Sequence, residues 1–516
     1  MSTAKSSSDN ARNVLMDKIV SLCKRRGFVF QSSEIYGGLN GCWDYGPLGA
    51  ELKKNLKDYW WRRMVRDRDD VVGMDGAILQ NRKVWQASGH EGTFSDPLVD
   101  CKETKARFRA DQIFYTPAVI GEESHGYVSV TESPTMADEA LQKIRKIQKK
   151  GGLKGEIAPV ELKVLTEATA EERMLIPSPN SSEPGTLTEP RQFNLMFKTY
   201  VGPVEDESNI TYLRPETAQA IFVQFKNVLE TSRVKLPFGI AQIGKAFRNE
   251  INPRNFTFRS REFEQMEIEY FCRPEDGKRF LEEWLETRLK FYEEIGVPRE
   301  KLHVLDVPKD ARAHYSEGTY DIEYEFPFGI QELEGVAYRA NYDLTAHQNA
   351  SGKSLEYFDD ETKEKFIPHV VEPSAGVDRT VLAVICEAYD EETLTDEKGK
   401  ETTREVLRFN PRMAPIKCGV FPLLKNKPEL VAKAREIQAK LRVHMDVFYD
   451  ESGAVGRRYR RQDEIGTPYC VTVDFDTLGE NAPETVDTVT VRERDAMTQE
   501  RVPIAELLGY LLERIS

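Results

Sequence analysis

Phe247-Arg248-Asn249-Glu250, followed after a short loop by Phe258-Arg259-Ser260-Arg261-Glu262-Phe263, is the stretch that decides how this chain folds. Far downstream, Glu372-Pro373-Ser374-Ala375-Gly376-Val377-Asp378-Arg379 again sets arginine near carboxylate. Arginine suits phosphate binding because its planar fork can grip two oxygens at once and does not lose its charge. Positions 248 and 250 are two apart, so on a strand both side chains leave the same face. Alone, a Phe-Arg-x-Glu run equally describes an ion pair at a strand edge. The three pieces in this order are hard to meet by accident.

The flanking pattern is that of a sheet. Residues 239–244, 266–271 and 320–324 alternate apolar and polar positions, as expected for antiparallel strands with one covered face, and 280–294 has helical spacing. Upstream, Leu52, Leu56, Tyr59, Trp60 and Met64 recur at helical spacing with lysines and arginines between them, and 71–74 reads as the strand that follows. Residues 117–185 are rich in Lys and Glu, are interrupted by Gly151-Gly152 and end in a Pro- and Ser-rich loop, the composition of an insertion. Residues 390–404 read as a surface excursion. Beyond them, strands at 418–421, 443–449, 469–475 and 488–492 alternate with helices at 428–441, before Gly466 and at 504–515, which makes an α/β domain.

Bulk properties narrow the class. A chain of 516 residues exceeds one core, and its 40% hydrophobic and 31% charged content is ordinary for a globular protein. The net charge of −14 argues against nucleic-acid binding over the whole surface, so any such contact must use local basic residues, for which Arg457-Arg458-Tyr459-Arg460-Arg461 is the candidate. No apolar run approaches the ~18 residues of a membrane span, and the polar, Ser-rich start has no signal-peptide core. A cytoplasmic protein with reduced thiols is expected. The seven cysteines form no C-x-x-C pair, and no zinc site is expected.

The quoted segments resemble motifs 2 and 3 of the class II aminoacyl-tRNA synthetases. With Arg214-Pro215-Glu216-Thr217 added, the resemblance narrows to the homodimeric type of glycyl-tRNA synthetase. The fold it implies is α/β: an α+β catalytic domain on an antiparallel sheet, plus a C-terminal mixed α/β anticodon-binding domain. The boundaries expected are a disordered tail over 1–12, catalytic domain over 13–116, insertion over 117–185, catalytic domain again over 186–405 and anticodon domain over 411–516. The 52–64 helix and its strand resemble motif 1, which would place them in the dimer interface, although the proline that usually ends that motif is missing. An amphipathic helix packed on its own core is the other reading.

The reaction implied is attack of the glycine carboxylate on the α-phosphorus of ATP, giving glycyl-adenylate and pyrophosphate, then transfer of glycine to the 3′ end of tRNA(Gly). By resemblance Arg248 grips the α-phosphate, Glu250 accepts from the adenine amino group and Arg259 holds the γ-phosphate. Phe263 and Arg379 would flank adenine, and Glu332, beside Leu333, would carry magnesium. Arg248, Arg379 and Glu332 are the expected catalytic set. Asn249, Phe258, Ser260, Arg261, Glu262, Gly376, Val377 and Asp378 complete the ATP site. The glycine site implied comprises Arg109, Glu216, Phe263, Glu264, Gln265, Met266, Glu267, Arg339, Glu372, Pro373, Ser374, Ala375 and Gly376. Two carboxylates around one small ammonium make physical sense, although Glu216 after proline also suits a helix start. A class IIa enzyme for threonine, serine or proline is a second reading, opposed by Glu216 and Glu372-Pro373-Ser374. A non-catalytic paralogue is a third, opposed by the presence of Arg248, Arg259 and Arg379.

Overall fold

The computed structural model describes all residues except 1, 134, 396–398, 400 and 516, with side chains described from Val14 onward. Helix α1, Ser2–Arg26, leads into α2, Pro47–Trp61. The expected disordered tail over 1–12 falls outside the described side chains. Gly49 lets α2 start against residues 27–28, since a Cβ there would lie 1.8 Å from the Phe28 carbonyl oxygen. Leu52, Leu56, Trp60 and Met64 are buried among Trp284, Phe291 and other residues of the main core, so the apolar face of α2 packs on its own chain. Tyr59 and Arg63, at its edge, hydrogen-bond Glu294 at 3.0 and 2.9 Å.

A seven-stranded sheet builds the first large domain. In chain order its strands are β1 (Val71–Gly73), β2 (Phe238–Phe247), β3 (Glu262–Cys272), β4 (Leu302–Asp306), β5 (Gly318–Phe326), β6 (Gly329–Ala340) and β7 (His369–Gly376). Across the sheet they lie β4-β5-β6-β7-β3-β2-β1, antiparallel except for the β2–β1 pair. The strands and the helical spacing at 280–294 are as the alternation implies. Helix α3, Gly277–Glu294, and α4, Val377–Ala388, pack on one face; on the other, the Ala218–Ser232 helix covers Phe238, Ile240, Phe271 and Val370, and a cavity occupies the part beyond it. β2 and β3 pair from Phe238↔Phe271 to Phe247↔Glu262, so residues 248–261 form the loop at the open end of a long hairpin.

The 117–185 insertion is folded, and its expected first boundary cuts a strand. Ile113–Ile120 pairs with Glu123–Thr131, and helix Met136–Gly151 closes a small core of Ala118, Ile120, Val128, Val130, Ala140 and Ile144. Glu132 of this unit accepts from Arg254 of the 248–261 loop at 2.7 Å.

The 390–404 segment is not a free excursion. Tyr389–Thr395 and Glu401–Leu407 form a hairpin, and strand alternation turns Arg404 inward. Arg404 is 2% exposed and donates to Asp463 at 3.0 Å, on helix α5, Val455–Ile465. Asp463 also accepts from Arg492 at 2.8 Å. This buried charge network docks the C-terminal domain. That domain is a mixed sheet in the order Val447–Tyr449, Cys418–Pro422, Tyr469–Val473, Thr488–Glu493, Gln499–Pro503, with its own core of Val420, Leu430, Val471, Val489 and Leu511. Among the described residues no helix is long and apolar enough to cross a membrane.

Candidate active site

A cavity of about 360 Å³ opens on the free face of β3, β5, β6 and β7. Pleating decides what enters it. On β3, Phe263, Gln265 and Glu267 face the cavity; on β7, Glu372, Ser374 and Gly376 do. The intervening residues turn to the opposite side, which corrects part of the expected glycine set. Met266 and Ala375 are buried in the main core. Glu264 forms ion pairs with Lys53 at 2.7 Å and Lys57 at 3.0 Å. Pro373 is buried and is absent from the cavity wall, and Val377 likewise belongs to the core.

One end of the cavity is cationic. Arg248, Arg259 and Arg379 all line it, with Glu250, Phe258, Ser260, Phe263, Glu332, Leu333 and Asp378. Arg248 donates from Nε to the Pro215 carbonyl at 3.2 Å, and its guanidinium sits between the rings of Phe94 and Phe263, 5.4 and 5.3 Å from their centroids. Arg379 donates to the carbonyls of Phe258 and Glu332 at 3.2 and 3.0 Å, which places it 4.3 Å over the Phe258 ring. Phe263 and Arg379, expected on opposite sides of adenine, both line the cavity. Arg259 Nη1 and Glu250 Oε2 are buried without a protein partner. Unmet buried donors and acceptors of this kind are costly unless a ligand completes them.

Arg261 supports the site from behind. It donates to the Glu250 carbonyl at 2.9 Å and to that of Asn40. Glu262 pairs with Lys245 outside the cavity, and Asn249 is tied by its backbone to the Leu195 carbonyl at 2.7 Å. Asp378 collects Tyr45, Lys53 and the Glu264 amide at 2.7–2.8 Å, locking the start of α4 to β3. Asp321 was missed by sequence reasoning. It lines the cavity with Glu332, and burial, then the Glu332 charge, pushes its carboxyl up to about 7.

The other end is anionic. Glu216, Glu267 and Glu372 converge there with Ser374. Ser374 donates to Glu267 at 2.7 Å, and Thr217 donates to its other oxygen. Arg339 donates to Glu372 at 2.7 Å and to Asp343 at 2.8 and 2.9 Å, while stacking 3.8 Å from the Tyr315 ring. It thus orients the wall from outside the cavity. Burial would raise the Glu216 carboxyl, but His90, 3.2 Å away, together with Arg339 and Gln219, holds it well below the usual range. Nothing in Gly89-His90-Glu91 marked that partner. Arg109 lies apart, paired with Asp96 at 2.8 Å and Asp111 at 2.6 Å, and is not on the cavity wall.

Residues 198–389 match the tRNA synthetase class II core domain (G, H, P, S and T), and residues 417–514 match the anticodon binding domain. Over nearly its whole length the chain is similar to proteins named glycine–tRNA ligase. It is 48% identical over 509 residues to that of Thermobifida fusca, covering 98% of this chain and 99% of the relative. The Thermus thermophilus protein is 49% identical over 520 residues, covering 97% and 99%, and that of Rhodopirellula baltica 47% over 540, also covering 97% and 99%. The chain belongs to the glycine–tRNA ligase family. Its fold is the class II synthetase core with an anticodon-binding domain, and the cationic and anionic ends of the cavity belong to that core.

Proposed function

We propose that this chain activates glycine with ATP to glycyl-adenylate and transfers the glycyl group to the 3′ end of tRNA(Gly). One observation carries the reading: a single cavity holds converging arginines at one end and converging carboxylates at the other. Glycine presents one carboxylate and one ammonium, and the cavity offers complementary charge to each. The ammonium sits among Glu216, Glu372 and Glu267, with Ser374 beside it. Its carboxylate then points toward Arg248, where the α-phosphate arrives. Charge gathers on the non-bridging oxygens as the carboxylate attacks, and preorganised guanidinium donors lower that barrier. Arg259, with Nη1 unmet, takes the far phosphates, and Arg379 and Phe258 form one wall of the nucleotide site. Glu250 accepts from the adenine amino group.

Magnesium accompanies the nucleotide. Glu332 and Asp321 suit it, because two neighbouring carboxylates on the cavity wall repel one another and a hard cation relieves the repulsion. When bound, the ion neutralises phosphate charge. The C-terminal domain binds the anticodon arm, the working protein is a homodimer, and its site of action is the cytoplasm. The buried apolar face of α2 leaves the edges of that helix, not its core stripe, for a partner copy.

The test is amino-acid-dependent ATP–pyrophosphate exchange across all twenty amino acids. A response to glycine alone is expected; a response to threonine, serine or proline instead overturns the reading. Sedimentation of a fully active monomer at micromolar concentration would remove the dimer.

A further inference from the structure

Behind the anionic wall lies a fourth carboxylate that touches nothing obvious. Glu269 follows Glu267 by two residues on β3 and so leaves the same face, one step deeper. The β3–β7 register runs through Glu267↔Ser374 and Tyr270↔Val371, which sets Glu269 opposite Glu372. One oxygen each of Glu267, Glu269 and Glu372 lie within 4.8 Å of one another. Glu269 is fully buried, is not part of the cavity wall, and neither of its oxygens receives a hydrogen bond. Its neighbours are unlike it: Glu267 accepts from two hydroxyls and Glu372 from Arg339.

Three buried carboxylates this close cannot all be charged, since like charges in one site push a proton onto one of them. Arg339 donates to Glu372, and two hydroxyls donate to Glu267. Of the three, only Glu269 has no donor, so the proton belongs there. We propose that Glu269 is a neutral carboxylic acid whose O–H donates to Glu372, making it a positioning residue for the glycine ammonium. The proton fixes the orientation of the Glu372 carboxylate and trims the charge of the pocket toward that of one small monovalent cation. Burial, then the charges of Glu372 and Glu267, raises the proton affinity of Glu269, with Arg339 opposing and Asp343 adding to it. Glu216 adds its charge to Glu372 from the loop ahead of the Ala218–Ser232 helix. The inference rests on the proposed glycine site, and it concerns how Glu372 is held there.

The experiment compares full-length wild type, Glu269→Gln and Glu269→Leu in glycine-dependent pyrophosphate exchange, reading the KM for glycine and for ATP separately. Gln keeps the shape and an N–H donor; Leu keeps the volume and no donor. Glu269→Gln should hold the glycine KM within about threefold, whereas Glu269→Leu should raise it about tenfold or more, the usual effect of losing a hydrogen bond to a charged group, with ATP KM unchanged. A Gln variant as impaired as Leu would mean that Glu269 acts as a charge, and an unimpaired Leu variant that it acts only as filler; either overturns the proposal. Should the Leu variant fail to fold, an infrared difference spectrum of wild type minus Glu269→Gln decides. It must show the carbonyl stretch of a protonated carboxyl, and a carboxylate doublet there overturns the proposal. Absence of any glycine-dependent exchange in wild type would strike the parent reading instead, leaving the infrared result to stand on its own.

Discussion

The guanidinium of Arg379 lies 4.3 Å above the ring of Phe258, held there by bonds to the Phe258 and Glu332 carbonyls. This joins the start of α4 to the 248–261 loop and to β6, so three segments distant in sequence share one wall of the cavity. A cation–π contact contributes about 0.5–2 kcal/mol, so Phe258→Leu should raise the ATP KM in exchange by roughly 2- to 30-fold and leave the glycine KM alone. If Phe258→Leu is silent while Phe263→Leu raises the ATP KM, then Phe263 is the platform that matters.

Arg248 tests the transferring phosphate. Its Ala variant removes one preorganised cation where charge develops, a loss of about 10²–10³-fold in the exchange rate. Glycine binding measured by calorimetry without ATP should change little. Near-normal exchange in Arg248→Ala would remove this residue from the chemical step.

His90 tests the ammonium end. A hydrogen bond to a charged group contributes about 1.5–3 kcal/mol, so His90→Ala should raise the glycine KM by about 10- to 100-fold. The pH dependence has a definite sign. The folded Glu216 carboxyl is held below its ordinary value of 4.5, so its ionised form persists until pH falls through that lowered value. Without His90 the folded value rises, and the acid-side loss of glycine affinity should begin at higher pH. His90→Gln, which retains a neutral donor, should restore part of the difference. An acid limb that does not move in His90→Ala would show that His90 does not hold the Glu216 charge.

Much of this was legible in the sequence, for reasons that can be stated residue by residue. Arg248, Glu250, Arg259 and Arg379 were legible because they sit in ordered motifs, and the strands around them because period-two alternation survives wherever one face is covered. Glu264 and Met266 were misplaced because proximity to Phe263 in sequence ignores the pleat that turns every second residue away. Arg339 was expected at the glycine end by resemblance alone, and the structure sets it behind the cavity wall, bonded to Glu372. His90, Asp321 and Glu269 carried no signal: each gains its meaning from a partner that the sheet brings near. Arg404 read as surface because its segment is rich in charge, and only strand pairing shows that it is turned inward.

The arginine run 457–461 separates into parts that do different work. Arg458 is 2% exposed and donates to the carbonyls of Pro422, Glu451 and Gly453, so it ties α5 to the sheet. Arg461 pairs with Asp450, and Tyr459 is held by Thr472 at 2.6 Å with its ring against Arg492 and Phe421. Arg457 and Arg460 are exposed. Neutralising all four arginines would therefore confuse stability with recognition. Arg458→Ala alone should strand buried carbonyls, at about 1–3 kcal/mol each, and lower the melting temperature by several degrees. The Arg457→Glu, Arg460→Glu double variant should melt like wild type and keep glycine-dependent exchange. It should bind tRNA more weakly, with a salt slope flatter by roughly 0.7–0.9 for each phosphate that is no longer neutralised. An unchanged slope in that variant would place the anticodon-binding surface elsewhere on the domain, and a large drop in its melting temperature would make both side chains structural.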